Sequence, residues 1–353
     1  MKRTKLIYLL PVLALTASCS KDPVEDYEET GALEPVEISS SDEMAELANP
    51  ALGNVTEVYF AGQQLTVEEF GGEYIYQGDI MLAPDMVSQE PVKLVYEKDE
   101  TPPANKSVGR TSGRWPNNTV YYAIDANLDN KARVYDAIAH WENKTNIDFV
   151  ERTTQSNYVY FVSGSGCSSY IGMTGGKQNI TLASACTTGN AIHEIGHAIG
   201  LWHEQSRVDR DNSITINYNN IQSGREHNFK TYAEQGYDGD EYTSSLDFGS
   251  IMMYGSYSFS SNGQPTIVKK DGSTFNIQRN GLSSGDVTGV NNMYPYSSSG
   301  NTTTTTPEPI YVNGETYLLY GIWVLRKNDS WFFYSRTYGW KEVILRGSYW
   351  YYR

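Results

Sequence analysis

The sequence is poor in cysteine, histidine and basic residues, and each shortage narrows the functions open to it. Three cysteines and five histidines among 353 residues leave few positions for disulfides or nitrogen-ligated metal. Lysine and arginine total 27 against 42 acidic residues, which gives a net charge of −15. A strongly acidic chain is poorly suited to nucleic acid or to an anionic membrane surface. We therefore expect no nucleic-acid partner.

The chain also lacks an apolar run long enough to span a bilayer, which takes about 20 residues. Its longest run, Leu6–Leu15, follows three basic residues and precedes small residues and Cys19. This order is typical of an export signal. Two interpretations stay open: a lipoprotein signal in which Cys19 is lipidated, or an ordinary cleaved signal. The first predicts a membrane-anchored precursor that releases a secreted mature protein.

Two cysteines remain beyond the signal, Cys167 and Cys186. An even pair in an exported chain favours a disulfide. A bridge that closes a loop of about 20 residues stabilises the folded state by about 3 kcal/mol. The alternative is two free, buried thiols.

Composition divides the chain into five segments. They are a signal (1–19), an acidic and then strand-like segment (20–107), a mixed α/β domain (108–297), a Thr/Pro linker (298–309) and an aromatic-rich β tail (310–353). Period-two alternation predicts strands in the second segment, through "EVYFAGQQLTVEEF" and "GEYIYQGDIML". In the third, periodicity predicts a helix over Lys131–Lys144 and another from about Thr188. Short strands are predicted at 119–124, 148–152, 158–162 and 180–183.

The tail packs 14 aromatic residues into its 44 positions. One interpretation is a compact aromatic core in a module too small for an ordinary one. The other is a stacking face for a glycan or another surface ligand. Hairpin turns are predicted at Val312-Asn313-Gly314 and at Lys327-Asn328-Asp329.

The string "HEIGHAIGLWH" holds three of the five histidines. His193 and His197 are four residues apart and share one face of a helix, with Glu194 beside them. His203 lies six residues further on, at a spacing that a continuing helix would point elsewhere. Gly200 can take a left-handed conformation cheaply, so we expect it to end the helix and return His203 to the other two. Three neutral imidazoles suit one Zn²⁺ and leave one coordination position open.

The eleven-residue zinc motif matches the metzincin pattern, and "SIMMY" at 250–254 resembles the methionine turn of that class. With Glu204 after the third histidine and "RVDRD" at 207–211, the chain resembles the astacin family of zinc metalloproteases from about Trp115 to Tyr294. The resemblance implies an α+β fold with a mixed, mostly five-stranded sheet, an active-site helix and an irregular C-terminal subdomain. The chain departs from the family in lacking a second cysteine pair, since Asn146 stands at one of the expected positions.

The resemblance also implies roles for individual residues. His193, His197 and His203 would bind zinc, and Glu194 would act as the general base. Met252 would form an apolar floor below the metal. Tyr254 would be a displaceable ligand that later stabilises the transition state. Glu204 would contact the N-terminus created by activation.

Astacins are held latent by a pro-segment, and Tyr76-Gln77-Gly78-Asp79 resembles the motif that does so. The resemblance implies that Asp79 fills the fourth zinc position in the latent form only. A plain β-turn between two strands fits the same residues. Activation cleavage is expected within 102–114, with Lys106 and Arg110 as candidate sites.

Two functions follow from these patterns. The first is a secreted zinc endopeptidase that acts on protein or peptide substrates and is inhibited by its own pro-segment. The alternative is a cell-surface adhesion lipoprotein that keeps the fold and uses the aromatic tail without strong peptidase activity.

Overall fold

In the computed structural model, the described residues are 47–60, 63–84, 87–90, 95–98, 113–232, 234, 243–295, 313–314, 316–319, 322–335, 339–346 and 349–353. They all belong to one compact unit, Glu37–Arg353. We call residues 47–98 the N-terminal segment, 113–295 the central domain and 313–353 the tail. The expected signal with Cys19, the candidate cleavage sites Lys106 and Arg110, and the linker 298–309 lie outside the described residues.

Strands dominate the described part of the chain. In the N-terminal segment they are β1 (Asn54–Phe60), β2 (Gln63–Phe70), β3 (Glu73–Tyr76), β4 (Ile80–Leu82), β5 (Val87–Ser88) and β6 (Val95–Tyr96). In the central domain they are β7 (Thr119–Ile124), β8 (Asp148–Glu151), β9 (Tyr158–Val162), β10 (Cys167–Tyr170), β11 (Lys177–Leu182), β12 (Ile214–Ile216) and β13 (Ile267–Lys269). In the tail they are β14 (Thr316–Leu319), β15 (Ile322–Lys327), β16 (Ser330–Ser335), β17 (Gly339–Arg346) and β18 (Tyr349–Tyr352).

The helices all lie in the central domain. They are α1 (Ala132–Lys144), α2 (Thr188–Ile199) and α3 (Ser284–Met293) among the described residues. The periodicity of the sequence predicted α1 and α2. The ends that it specified lie within about one residue of those in the structure. It did not anticipate α3, whose signal is a capping box between Ser283 and Asp286 rather than an apolar stripe.

One mixed sheet runs through the molecule in the order β5-β1-β2-β3-β4-β10-β11-β9-β7-β8. Its last five strands belong to the central domain, where β10 alone runs antiparallel to its neighbour. This confirms the expected α+β class and the mixed five-stranded sheet. The N-terminal segment extends that sheet, because β4 pairs in parallel with β10 through Ser169↔Ile80 and Tyr170↔Met81.

The core of the central domain lies between this sheet and helices α1 and α2. Val134, Ile138 and Trp141 are buried on one face of α1, as the 3.6-residue period predicted. The Trp141 indole donates to the carbonyl of Ile192 at 3.1 Å, which fixes α1 against α2. Cys167 and Cys186 form the expected disulfide, and it joins β10 to the residue just before the cap of α2.

Beyond the histidine motif, the central domain is irregular, as expected. It contains short 3₁₀ turns, the β12–β13 pair and then α3. Val290 and Met293 of α3 join the buried core cluster that contains α1 and α2 residues. Among the described residues, no helix has the length and hydropathy needed to cross a bilayer.

The tail is an antiparallel meander from β14 to β18. Asn328 and Asp329 both have positive φ (50° and 58°), the geometry of a type I′ turn, which confirms the predicted β15–β16 hairpin. Asn313 and Gly314 also form a turn, but Val312 and the residues before it lie outside the described part of the chain. The aromatic side chains divide between two roles: Trp350 is buried, whereas Tyr334 and Trp340 are 54% and 50% exposed.

His227, in a 3₁₀ turn of the central domain, gives the fold a testable pH dependence. Burial lowers its pKa to about 4. In the unfolded chain the same ring titrates near about 6.5, so between these values the unfolded state binds more protons. The free energy of unfolding should therefore fall as pH is lowered from 6.5 to 4, by up to about 3 kcal/mol from this residue.

His227→Gln carries no such titration. Urea unfolding at pH 7, 5.5 and 4 should give a shallower pH dependence for the variant than for the unmodified chain. Parallel curves for the two proteins would contradict the assignment.

Candidate metal centre

Helix α2 sets the direction of the first two histidines. Its N-cap, Thr187, forms a capping box with Asn190: the Thr187 hydroxyl accepts from the Asn190 amide at 3.3 Å, and the Asn190 side chain accepts from the Thr187 amide at 2.7 Å. The helix is buried from Gly189 to Ile199. The imidazoles of His193 and His197 therefore lie inside the protein, with ring centroids 4.7 Å apart.

Gly200 ends the helix in the left-handed conformation that the spacing predicted, with φ of 113°. A residue with a Cβ would be strained there. The Leu201 amide then donates to the carbonyl of Gly196 at 2.9 Å, which turns the chain back toward the helix. As a result His203 returns to the first two histidines, with its ring centroid 4.8 Å from that of His197 and 5.5 Å from that of His193.

Each imidazole has its Nδ1 next to a carbonyl oxygen. His193 Nδ1 lies 2.8 Å from the Ile251 carbonyl, and His197 Nδ1 lies 2.7 Å from the Leu201 carbonyl. His203 Nδ1 lies 3.0 Å from Oε1 of Gln77. Since these oxygens can only accept, each Nδ1 carries the proton. In the neutral form of each ring, Nε2 therefore keeps its lone pair, which is the tautomer of metal-binding histidines.

The carboxylate of Asp79 faces the same point. Its oxygens lie 3.2 Å from Nε2 of His193, 3.5 Å from that of His197 and 3.2 Å from that of His203. Together the four ligand atoms lie within 4.8 Å of one another, and all four residues are buried. Nitrogen lone pairs and a carboxylate cannot satisfy one another without a cation between them. The donor set therefore fits one metal ion, and three histidines with a carboxylate suit zinc.

The electrostatics of the pocket favour the metal-binding forms. Burial lowers the pKa of His193 to about 3 and that of His203 below its usual value, so both rings are neutral at physiological pH. Burial by itself would raise the pKa of Asp79, but positive charge on the facing histidines holds that pKa well below its usual value, and a metal ion at the same point would act in the same direction. Asp79 is therefore an anion.

Met252 and Tyr254 border the histidines from the methionine turn. A Cβ at Gly196 would come within 2.7 Å of the Met252 sulfur, so the glycine inside the His-Glu-x-x-His motif makes room for this methionine. The Tyr254 ring packs 4.7 Å from the His203 ring. Its hydroxyl donates to the backbone carbonyl of Gln77 at 2.6 Å.

The two glutamates of the motif lie in different environments. Glu194 is fully buried on α2, directly after His193. Glu204 accepts the Asp247 amide at 2.8 Å and lies 3.6 Å from the Arg207 guanidinium. Burial raises the pKa of Glu204 to about 7, although the Asp247 amide and Arg207 both act to lower it.

The N-terminal segment is fastened across this centre by polar contacts. The side-chain amide of Gln77 donates to the Ser206 hydroxyl at 2.6 Å, and its side-chain oxygen faces Nδ1 of His203. Glu68 and Arg225 form an ion pair at 3.5 Å, with both side chains buried. Arg225 also donates to the Ala51 carbonyl at 2.9 Å. The Tyr76–Asp79 stretch forms a turn, as one interpretation of the sequence expected. Gln77 and Gly78 have positive φ between β3 and β4, and the turn presents Asp79 to the histidines.

Two residues of the centre were not predicted from the sequence, Gln77 and Asp286. Gln77 orients His203, but a lone glutamine carries no pattern. Asp286 accepts from the Ser250 hydroxyl at 2.6 Å and from the Ile251 amide at 2.9 Å, and so fixes the turn whose carbonyl faces His193. Its capping-box spacing after Ser283 was a readable signal for a helix start.

Two histidines on a buried helix, closed by a third after a glycine and set against a methionine turn, define a metzincin-type metal site. A model of the astacin peptidase family matches residues 107–295. The chain belongs to the astacin family.

Two curated relatives and one solved structure are similar to parts of this chain. Blastula protease 10 of Paracentrotus lividus is 40% identical over 208 residues, which cover 56% of this chain and 34% of that protein. Flavastacin of Elizabethkingia meningoseptica is 38% identical over 193 residues, which cover 51% of this chain and 42% of flavastacin. The structure of high choriolytic enzyme 1, a hatching enzyme zinc-protease from Oryzias latipes, aligns at 32% identity and a TM-score of 0.47, covering 51% of this chain and 92% of that one. The matched regions span 34% to 42% of the first curated relatives.

The centre predicts a defined metal content. The purified chain should hold one zinc per molecule, measured by atomic emission after dialysis. His203→Ala should weaken zinc binding by more than about 100-fold, because even the loss of a hydrogen bond to a ligand costs about 10–100-fold.

His140→Ala is the matched control. His140 lies on α1, outside the group of four metal-binding residues, and its Nε2 accepts a hydrogen bond from the Leu282 amide. Equal zinc contents in the two variants would contradict the assignment.

Proposed function

We propose that the chain is a zinc-dependent endopeptidase that hydrolyses protein or peptide substrates and is made as a latent precursor. The observation that carries the proposal is the convergence of three Nε2 lone pairs on one point inside the protein, beside a buried glutamate. A zinc ion held there would polarise a peptide carbonyl and lower the pKa of an attacking water. The alternative, an adhesion protein without strong activity, gains no support from a site whose parts are all present.

The residues of the chain supply the remaining chemistry. Glu194 follows His193 on α2, so its carboxylate can take the proton of the attacking water and pass it to the leaving amine. Tyr254 already donates to a backbone carbonyl in this structure, that of Gln77. With a substrate in that place, the same hydroxyl would donate to the oxyanion of the transition state. Met252 excludes water from below the histidines.

Latency follows from the position of Asp79 and Gln77. The Asp79 carboxylate occupies the point at which a water would be activated. Gln77 engages Tyr254 through its backbone carbonyl and His203 through its side chain, so the turn that carries Asp79 also occupies these two groups. The pro-segment, residues 20–107, is in this proposal an intramolecular inhibitor.

Activation would require a cut within 102–114 and release of that turn. The new N-terminus would then reach Glu204, which in this structure is engaged with Asp247 and Arg207. The export signal would place the precursor outside the cytoplasm, and lipidation of Cys19 would anchor it through the pro-segment. The exposed pair Tyr334 and Trp340, with ring centroids 5.4 Å apart, supports a glycan or surface ligand for the tail.

Glu194→Gln tests the general base. After the pro-segment has been removed at a protease site inserted within 101–112, this variant should keep one zinc per chain and lose activity on casein by at least about 100-fold, the usual worth of a positioned base.

Glu151→Gln, at an exposed position on β8, is the matched control and should keep full activity. Turnover by Glu194→Gln close to that of the control would remove Glu194 from the mechanism.

Asp79→Ala tests latency. The uncut precursor should hydrolyse a quenched fluorescent peptide at least about tenfold faster than the unmodified precursor, which corresponds to losing about 1.4 kcal/mol of inhibitory binding.

Glu73→Ala removes an exposed carboxylate from neighbouring β3 and should leave the precursor latent. An Asp79→Ala precursor as inactive as this control would show that Asp79 does not maintain latency.

A further inference from the structure

The tail sheet has a sixth strand that does not come from the tail. Its order is β14-β15-β16-β17-β18-β6, and β6 belongs to the N-terminal segment. Strands β18 and β6 run parallel, with Trp350 opposite Val95 and Tyr351 opposite Tyr96. The pairing joins positions 255 residues apart in sequence, and it covers an edge strand that would otherwise present unpaired backbone groups.

Val95 also completes the core of the tail. It is 4% exposed and clusters with Val324, Val343 and Trp350. Trp331, Phe333 and Tyr352 pack against the same cluster. A module of about 40 residues rarely builds a sufficient core by itself. Val95, which comes from outside the tail, is therefore a substantial part of the tail's core.

The N-terminal segment is thus paired into two sheets at once. Strand β5 pairs with β1 in the ten-stranded sheet, and only residues 89–94 separate it from β6 in the tail sheet. Both β5 and β6 lie before residues 102–114 in the sequence, the stretch in which activation cleavage is expected. A cut there severs the pro-segment from the central domain and leaves β6 on the pro-segment side.

We infer that the edge of β18 is a binding site for the pro-segment strand around Val95, and that it retains the pro-segment after activation cleavage. Strand addition supplies backbone hydrogen bonds, and the Val324–Val343–Trp350 cluster supplies the pocket for one side chain, a recognised mode of peptide capture. The tail remains covalently joined to the central domain through the linker. The cleaved pro-segment therefore stays at high effective concentration beside the metal centre.

This inference, whose regulatory meaning rests on the proposed function, gives the tail a role in activation. Cleavage would not by itself free the metal centre. Even after the Asp79 turn had left the histidines, the pairing of β6 with β18 would hold the pro-segment nearby. Full activity would require release or destruction of β6. A lipid anchor on the pro-segment would likewise stay attached to the cleaved protein.

The test uses the full chain carrying Glu194→Gln, so that the protein cannot digest itself. A specific-protease site is inserted in the linker 298–309 and an affinity tag is placed in the N-terminal acidic run. Cutting the linker leaves the tail fragment attached only by non-covalent contacts. The tail fragment should then be captured with the tagged chain, and a second inserted cut within 101–112 should leave it captured with the pro-segment.

Val95→Asp should release the tail fragment at least about tenfold faster, because it removes a buried aliphatic group and places a charge in the pocket. Lys98→Ala, an exposed position in the same segment, is the matched control and should retain it. An excess of the synthetic peptide PVKLVYEK, residues 91–98, should displace the tail, whereas the same peptide with Val95→Asp should not.

Loss of the tail from the unmodified cut chain would overturn the inference. Equal retention by Val95→Asp and Lys98→Ala would also overturn it, because the contact would then lie elsewhere. Capture does not depend on hydrolysis. A protein that retains its tail in this assay but shows no peptidase activity with Glu194 restored would therefore refute the proposed function and leave this inference standing.

Discussion

The rest of the structure depends on one electrostatic arrangement: three imidazoles and a carboxylate that meet inside the protein, with Nε2 of each ring facing Asp79. Each Nδ1 is committed to a carbonyl oxygen, so every neutral ring turns its Nε2 lone pair toward Asp79. The Asp79 oxygens lie 3.2–3.5 Å from the three Nε2 atoms, and acceptors this close together are stable only around a cation. The metal is therefore part of the fold, and its binding free energy contributes to folding.

Several otherwise unrelated features exist to hold that arrangement. The Thr187 cap starts α2 at the correct register, Gly200 ends it, and Gly196 leaves space for Met252. Asp286, on a helix from the far end of the domain, fixes the turn whose Ile251 carbonyl orients His193. The histidine ligands are close together in a short motif, whereas the groups that orient them come from separate places in the chain.

The N-terminal segment completes the centre and the sheet at the same time. Strand β4 adds to β10, and the turn before it carries Gln77 and Asp79 to the histidines. Further along, β6 adds to the tail sheet and fills its core with Val95. The same physical device, strand addition with one anchoring side chain, links the segment to both ends of the molecule. The proposed latency and the tail would then be parts of one system.

The sequence by itself determined what depends on local spacing. The i, i+4 histidines, the glycine that stops the helix, the apolar face of α1 and the Asn328-Asp329 turn all follow from constraints within a few residues. The disulfide followed from the single pair of cysteines that lies beyond the expected export signal. Tertiary structure decided what joins distant positions: the Gln77–His203 contact, the Asp286 support of the methionine turn, and the pairing of β4 and β6 with strands far along the chain. No local sequence pattern predicts these contacts. A hydrogen bond or a strand pairing constrains only the residues that meet, and when these lie far apart in the chain they produce no periodicity in the sequence.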